Sequence, residues 1–227
     1  MQKRLFVLLF LILATAITAA SEGSNVVSSA AKTGDIIQLG GFDWRVLDVQ
    51  SGKALVLSDK ILLKKEYYPD SYVRSKTWEE SSLRRYLNVE FYESAFSAEE
   101  KKRIAETKVV NNDNPWYDTD GGNDTVDKVF LLSLEEALQY SGSIEELENV
   151  RKTEYFISDR HNALRVAETQ DDKAAWWWLR TTGEFYRMCE TNFSHAVVVL
   201  ANGSLSVFGD MIGNEYGGVR PAMWINL

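Results

Sequence analysis

Residues 176–183 read Trp-Trp-Trp-Leu-Arg-Thr-Thr-Gly, and residues 217–224 read Gly-Gly-Val-Arg-Pro-Ala-Met-Trp. Side chains alternate between the two faces of a β-strand, so Trp177 takes one face while Trp176 and Trp178 take the other. Rings of this size bury a large area, and at least one of the two faces therefore belongs to a core. The other face is either covered by further elements or exposed as a contact surface, and the sequence leaves both readings open.

Two β-rich segments enclose the rest of the domain. The predicted strands cover residues 34–39, 42–49, 53–58, 196–200, 204–208 and 219–225. Gly52 and the Asn202-Gly203 pair supply the turns of two hairpins, because glycine accepts the positive φ that tight turns require. Pro221 places the last strand at a sheet edge or beside a bulge, since proline donates no ladder hydrogen bond. If the first and last strands share a sheet, the two ends of the domain lie close together.

Three capping boxes predict helices between these strands. Thr77, Ser97 and Ser133 are each followed three residues later by glutamate, and such a pair satisfies free N–H groups at the start of a helix. Further helical turns are predicted at residues 143–150 and 159–167, and a short strand at residues 129–132. Strands at both ends with helices between them indicate a single α+β domain over residues 34–227.

The N-terminal segment has the three parts of a secretory signal. A basic start is followed by an apolar run over residues 5–17 and by small residues at positions 18–21. The run is shorter than the roughly 20 residues of a spanning helix. We therefore predict a signal peptide at residues 1–20, a flexible lead-in at residues 21–33, and a secreted or cell-surface location. A membrane association follows only if the leader is not cleaved.

Composition and charge exclude some classes of partner. The net charge of −8 argues against nucleic acid, whose phosphates require a basic surface. It also argues against anionic lipid headgroups. Cys189 is the only cysteine, which excludes an intrachain disulfide and a lipoprotein anchor after the leader. Packing alone therefore holds the fold together.

A series of ordered motifs resembles a known family. They are Gly34-Asp35-Ile36-Ile37, Trp44-Arg45-Val46-Leu47, Thr77-Trp78, Leu83-Arg84-Arg85-Tyr86-Leu87-Asn88, residues 122–133, Trp177-Trp178-Leu179-Arg180 and Gly218-Val219-Arg220-Pro221-Ala222. On these motifs, residues 33–227 resemble a bacterial domain of unknown function, family 6273. The resemblance implies an exported or cell-surface protein and adds no biochemical role.

The C-terminal motifs also resemble the C-type-lectin-like superfamily, which includes the sulfatase-modifying oxidases. In that superfamily a Trp-Leu-Arg strand, a hairpin and a Gly-Val-Arg-Pro strand close the domain, so the resemblance implies a single C-type-lectin-like domain. The oxidase branch holds copper with two cysteines, and this chain has one. The Glu-Pro-Asn and Trp-Asn-Asp triplets of calcium-dependent sugar-binding lectins are also absent from the sequence.

Residues 111–127 form a polar loop with five aspartates and four asparagines. Calcium takes six to eight oxygen ligands, which carboxylates and amide carbonyls supply. The spacing does not fit an EF-hand, because Trp116 would occupy the first ligand position. The alternative is that these side chains cap the turns of their own loop. The candidate calcium ligands are Asp113, Asp118, Asp120, Asn123, Asp124 and Asp127.

Five residues are candidates for contact with an organic ligand. Trp116 and Tyr117 offer aromatic faces that stack on a sugar ring, and Trp177 offers a third ring. Arg180 and Arg220 could clamp a carboxylate or sulfate with two hydrogen bonds each. The competing interpretation of the arginines is structural, because buried charges require partners. Asp124 or Asp127 is the partner that the sequence suggests.

The sequence contains no recognised catalytic signature. His161 and His195 are the only histidines, and neither a Gly-x-Ser-x-Gly elbow nor a His-Glu-x-x-His motif is present. We therefore assign no catalytic residue and predict a non-catalytic module that binds carbohydrate or another cell-envelope component. The alternatives are a surface domain that binds a protein through its tryptophan face, and a hydrolase that uses acidic residues.

Overall fold

The computed structural model describes residues 31–142, 144–145 and 155–227. The predicted leader, residues 21–30 of the lead-in and most of the predicted helical segment at 143–150 lie outside the described residues. In the part of the chain that is described, no helix has the length and apolar character needed to cross a membrane.

Short helices connect many strands. The strands are β1 (Ile36–Leu39), β2 (Phe42–Gln50), β3 (Lys53–Ser58), β4 (Leu63–Lys64), β5 (Thr107–Val109), β6 (Thr125–Asp127), β7 (Phe156–Ile157), β8 (Ala167–Glu168), β9 (Ala174–Ala175), β10 (Trp177–Met188), β11 (Thr191–Val199), β12 (Leu205–Met211), β13 (Gly218–Val219) and β14 (Ala222–Asn226). The helices are α1 (Ser82–Tyr86), α2 (Tyr92–Ala95), α3 (Ala98–Arg103), α4 (Leu134–Tyr140) and α5 (Asn162–Arg165), with a π-helical turn at Leu87–Phe91 between α1 and α2. The fold is therefore mixed α+β, as the sequence predicts.

The four-stranded sheet joins the two ends of the domain. Its order is β1-β2-β3-β14, and all neighbours are antiparallel. Ala222 pairs with Leu57 and Asn226 pairs with Lys53. This pairing confirms that the first and last strands share a sheet, and it puts the strand that follows Pro221 at a sheet edge.

The six-stranded sheet carries the long C-terminal hairpins. Its order is β4-β13-β10-β11-β12-β7. The β10–β11 pairing is shifted between Trp178 and Thr182 and again between Thr182 and Phe185, which marks bulges in this hairpin. Strand β13 belongs to this sheet and β14 to the other, so the chain changes sheets at Arg220 and Pro221.

The tryptophan-rich strand is part of the core. Trp177 and Trp178 are fully buried, and their Nε1 atoms donate to the carbonyl oxygens of Arg165 at 3.1 Å and Lys65 at 2.9 Å. Trp176 is half-buried and packs edge-on against Trp178 with ring centroids 4.9 Å apart. Burying roughly 200 Å² of such a ring stabilises a fold by several kcal/mol. Trp177 and Trp178 therefore put both faces of this strand in the core, and Trp176 is the one ring of the three that stays partly exposed.

Two of the three predicted capping boxes are confirmed. Ser97 and Ser133 each accept from a backbone N–H and receive the glutamate's reciprocal bond, at the starts of α3 and α4. The prediction at Thr77 was wrong, because α1 begins one turn later, where Ser81 accepts from the amide of Arg84. Glu80, the glutamate of the capping box predicted at Thr77, forms an ion pair with Lys76.

The predicted strand at residues 129–132 is also corrected. Phe130 makes only an isolated bridge with Ala222, while β6 forms earlier, within the predicted polar loop. The carbonyl of Leu131 accepts from the Arg180 guanidinium, and that of Leu132 accepts from the Arg180 amide. The backbone of this segment is therefore satisfied by Arg180 and by one two-bonded bridge to β14, in which Phe130 and Ala222 exchange amide hydrogen bonds at 2.9 Å and 2.7 Å.

Candidate functional site

Arg180 is a structural residue in this fold. Its side chain is 3 % exposed and forms a two-bonded ion pair with Glu136, at 2.5 Å and 3.1 Å. The guanidinium also donates to Asn111 Oδ1 at 3.2 Å and to the carbonyls of Leu131 and Val110 at 2.7 Å and 2.8 Å. The partner is thus Glu136, and the suggested pairing with Asp124 or Asp127 was wrong. These contacts occupy the donors that a ligand would need.

Arg220 also lies in the interior. Its Nε donates to the carbonyl of Ser58 at 2.8 Å, one Nη donates to that of Asp59 at 3.3 Å, and the guanidinium carbon lies 5.0 Å from the centroid of the Trp177 ring. Burial lowers the pKa of Arg220 to about 10. The structure therefore places Arg220 and Trp177 together in the core, away from any ligand in solvent.

The acidic loop uses its carboxylates on its own backbone. Asp113 accepts from the amide of Gly121 at 2.9 Å, and Asp120 accepts from the amide of Gly122 at 2.8 Å. Asp124 accepts from an amide at 3.2 Å, and the neighbouring Lys108 ammonium lowers its carboxyl pKa. These bonds correspond to the alternative given by the sequence, in which the side chains cap the turns of their own loop.

The remaining candidate ligands point to separate partners. Asp127 is buried and accepts from Trp78 Nε1 at 2.9 Å and from Arg84 Nε at 2.7 Å. Asn123 donates to the carboxylate of Glu79 at 2.9 Å, and Asp118 is an exposed residue with a φ of 50°. Among residues 31–142, 144–145 and 155–227, no three His, Cys, Asp or Glu side chains are grouped to hold a metal ion.

Asn114 fixes this loop to the six-stranded sheet. Its side-chain amide is fully buried and donates to the carbonyls of Thr182 at 2.8 Å and Val207 at 3.1 Å. Its Oδ1 accepts from the amide of Trp116 at 2.9 Å, and Thr119 Oγ1 donates to the carbonyl of Gly183 at 2.9 Å. The segment with Trp116 and Tyr117 is therefore held against β10 and β12.

An open cleft of about 520 Å³ is lined by residues of β7, β10, β11 and β12. Ser206 and Phe208 lie two residues apart on β12 and contribute to one wall. The full lining comprises Tyr155, Phe156, Glu184, Val198, Leu200, Ser206, Phe208, Gly209 and Asp210. The volume is within the range of small-molecule sites, and such sites combine apolar walls with a few polar groups.

Two tyrosines converge on the ring of Phe208. Tyr117 packs edge-on against it with centroids 6.3 Å apart, and Tyr155 does the same at 6.4 Å. Burial, with a smaller contribution from the negative charge of Glu184, raises the pKa of Tyr117 to about 12. Tyr117 does not itself line the cleft, but among the sequence-predicted ligand residues it is the one whose ring packs on Phe208, a residue of the cleft wall. Trp116 is half-buried beside it, and its enclosed Nε1 has no hydrogen-bond partner among the residues that the structure describes.

His195 packs against the ring of Phe208 and extends this aromatic group. Its ring centroid lies 4.5 Å from that of Phe208 and 5.7 Å from that of Tyr186, and its Nδ1 is 2.9 Å from the carbonyl of Glu184. A carbonyl only accepts, so Nδ1 carries the proton in the neutral ring. Burial lowers the pKa of His195, while the Glu184 carbonyl and the charge of Asp210 oppose that effect.

The lowered pKa predicts a stability that depends on pH through His195. Because the folded-state pKa lies below the unfolded value of about 6.5, the neutral ring stabilises the fold fully above that value. The contribution is lost as the pH falls through the folded-state pKa. We expect the melting temperature of the wild type to decrease more steeply below pH 6.5 than that of His195→Gln. His161→Gln is the matched control, and equal pH slopes for all three proteins would contradict the assignment.

The fold and the cleft define a mixed α+β domain with an aromatic site on its six-stranded sheet. A family model described as "Domain of unknown function (DUF6273)" matches residues 51–227, which is most of the chain, and the chain belongs to this family. No curated protein and no solved structure matches the chain. The matched range contains every residue of the cleft.

Proposed function

We propose that this chain is an exported, non-catalytic ligand-binding module whose cleft beside Phe208 takes carbohydrate or another cell-envelope component. The observation that carries the proposal is the convergence of Tyr117 and Tyr155 on Phe208, next to the carboxylate-bearing residues Glu184 and Asp210. Export rests on the predicted leader at residues 1–20, with a secreted or cell-surface location.

A sugar matches this combination of groups. The C–H groups on one face of a pyranose ring pack on an aromatic ring, whose face carries the negative part of its quadrupole. The hydroxyl groups around the ring donate to carboxylates, and hydrogen bonds to a charged acceptor are stronger than neutral ones. Glu184 and Asp210 supply such acceptors at the wall of a cleft whose other lining residues are mostly apolar.

We also propose that the fold is C-type-lectin-like. Support comes from the antiparallel pairing of β14 with β3, which closes the domain by joining its C-terminal strand to the N-terminal hairpin. The Trp-Leu-Arg motif in β10 and the passage from β13 to β14 at Arg220 and Pro221 are the same features that suggested this superfamily from sequence.

The test is a glycan and cell-wall-polysaccharide array probed with residues 21–227, in calcium and again in EDTA. We expect binding by the wild type and at least a roughly fivefold loss of affinity in the double variant Tyr117→Ala/Tyr155→Ala, because each ring contact contributes roughly 0.5–1.5 kcal/mol beyond its buried area. Tyr216→Ala is the control, since Tyr216 is 64 % exposed and takes no part in the cleft.

The calcium comparison tests the metal separately. Binding that is lost in EDTA would support the predicted calcium ligands in the loop at residues 111–127. Binding in both conditions would keep the carbohydrate proposal and remove the metal from it. No binding in either condition, or equal affinity in the control and double variants, would overturn the proposed site and favour the alternative of a surface domain that binds another protein.

The second candidate function is a hydrolase that uses acidic residues. The observation in its favour is that Glu184 and Asp210 line the same cleft, since glycoside hydrolysis requires two carboxyl groups on either side of one bond. Release of reducing ends from a bound polysaccharide by the wild type, but not by Glu184→Gln, would replace the non-catalytic proposal with this one.

A further inference from the structure

The rings around the cleft continue as a row along the β10–β11 hairpin. The aromatic row consists of Tyr155, Phe208, His195, Tyr186, Phe193 and Tyr72. Successive ring centroids are separated by 6.4, 4.5, 5.7, 4.8 and 5.7 Å. The cleft lies at the Tyr155 end, and the row extends from it to Tyr72.

The interior of the row is a rigid stack. Tyr186 and Phe193 are directly paired across β10 and β11, and their rings are nearly parallel, with an interplanar angle of 13°. His195 stacks on Tyr186 at 17°. Side chains that stack on one another across two hydrogen-bonded strands have little conformational freedom. They therefore lose little conformational entropy when a ligand binds, and the surface is preorganised.

The two ends of the row are exposed and yet held in place. Tyr72 is 60 % exposed and Tyr155 is 59 % exposed. Ser194 of β11 donates from its amide to the carbonyl of Ser71 at 3.1 Å and from its Oγ to that of Val73 at 2.8 Å, on either side of Tyr72. At the other end, the amide of Val207 donates to the carbonyl of Tyr155 at 3.0 Å.

The charge beside the row disfavours an anionic ligand. Glu184 and Asp210 stand at the cleft, and in the part of the chain that is described neither forms a salt bridge; Asp210 accepts only an amide bond from Asn214 at 3.0 Å. The net charge of the chain is −8. An acidic chain such as a polyuronate would meet repulsion at this site.

We infer that the ligand is a neutral linear oligosaccharide that extends along the aromatic row, with one end in the cleft and the other on Tyr72. This inference rests on the proposed function and adds to it the length and charge of the ligand. Two anchored, exposed rings separated by a rigid stack suit a chain that contacts both ends at once, because the second contact then forms within the same complex. Tyr72 is accordingly a second subsite that extends the cleft.

The test measures affinity against chain length by isothermal titration calorimetry. The probes are neutral linear oligomers of glucose, mannose, xylose and N-acetylglucosamine, each from monosaccharide to hexasaccharide, with a polygalacturonate oligomer for the charge. We expect affinity for one neutral series to rise with length. Tyr72→Ala should weaken the longest bound oligomer roughly threefold to tenfold, as the loss of one aromatic contact implies, and leave the shortest unchanged.

Each outcome separates the inference from the proposal on which it rests. Tyr216→Ala, an exposed tyrosine outside the row, should bind all lengths as the wild type does. Affinity that does not grow with length, an equal loss in Tyr72→Ala at every length, or preference for the polyuronate overturns this inference alone. If no oligomer of any length binds the wild type, the proposed function fails and the inference fails with it. A circular dichroism melt of Tyr72→Ala confirms that the variant is folded.

Discussion

Replacing Glu136 by glutamine is expected to lower the free energy of unfolding by about 3 kcal/mol, since removing one partner leaves the Arg180 charge buried and uncompensated. Glutamine keeps the acceptor that completes the capping box of α4, where the amide of Ser133 donates to Glu136 Oε2 at 2.9 Å. The substitution therefore isolates the charge of the ion pair from the start of the helix. Urea unfolding followed by tryptophan fluorescence measures the change.

The control is Glu135→Gln, one position earlier on the same helix. Glu135 accepts from Asn112 Nδ2 at 2.5 Å and has no contact with a buried arginine, so we expect a change below about 1 kcal/mol. If both variants unfold at the same denaturant concentration, the carbonyls of Leu131 and Val110 would be sufficient partners for Arg180. The ion pair would then have no measurable role in stability.

The Arg180 network matters for the site because it joins three segments. The guanidinium of Arg180 bonds to Glu136 on α4 and to the carbonyl of Leu131. It also bonds to Val110 and Asn111, at the start of the acidic loop. Asn111 in turn donates to the carbonyl of Asn123 at 2.8 Å, near the end of that loop. The loop is thus closed on β10 at its base, and Asn114 anchors its middle, where Tyr117 packs on Phe208.

Local sequence signals predicted the local structure well. The capping boxes at Ser97 and Ser133 and the hairpin turns at Gly52 and Gly203 depend on residues a few positions apart, and the structure confirms them. The failure at Thr77 has a physical cause that sequence does not contain. The amide of Leu83 bonds the carbonyl of Tyr67, and Ser81 Oγ donates to that same carbonyl, which fixes the helix start later.

The site was predictable only in part, because its residues come from distant segments. Tyr117 was found through the composition of its loop. Tyr155, Glu184 and the pair Phe208 and Asp210 come from three separate stretches of the chain. Alternation along β12 indicates that Phe208 and Asp210 share a face but not what covers that face. Likewise, a buried arginine requires an anion, but only the packing of α4 on β10 selects Glu136 over the aspartates of the loop.

Asn114 is the residue that connects the stability of the fold to the geometry of the cleft. Its amide nitrogen is the donor for two buried strand carbonyls, at Thr182 and Val207, and its oxygen holds the amide of Trp116. Alanine would remove all three bonds and leave buried backbone groups without partners. A buried group that loses its partner costs about 1–3 kcal/mol, so we expect Asn114→Ala to lower the free energy of unfolding by roughly 2–4 kcal/mol.

The same substitution should weaken ligand binding at temperatures where the protein is still folded. Without its anchor the segment before Tyr117 loses its fixed distance from Phe208, so binding must include the free energy of ordering that segment. We expect Asn114→Ala to reduce affinity by about the same factor as Tyr117→Ala, and the two losses to be less than additive, because both act on one contact. Asn112→Ala, at an exposed position of the same loop, is the control for stability and binding. Full affinity in Asn114→Ala together with reduced stability would show that Tyr117 is held by its contact with Phe208 alone and that the buried amide serves only the fold.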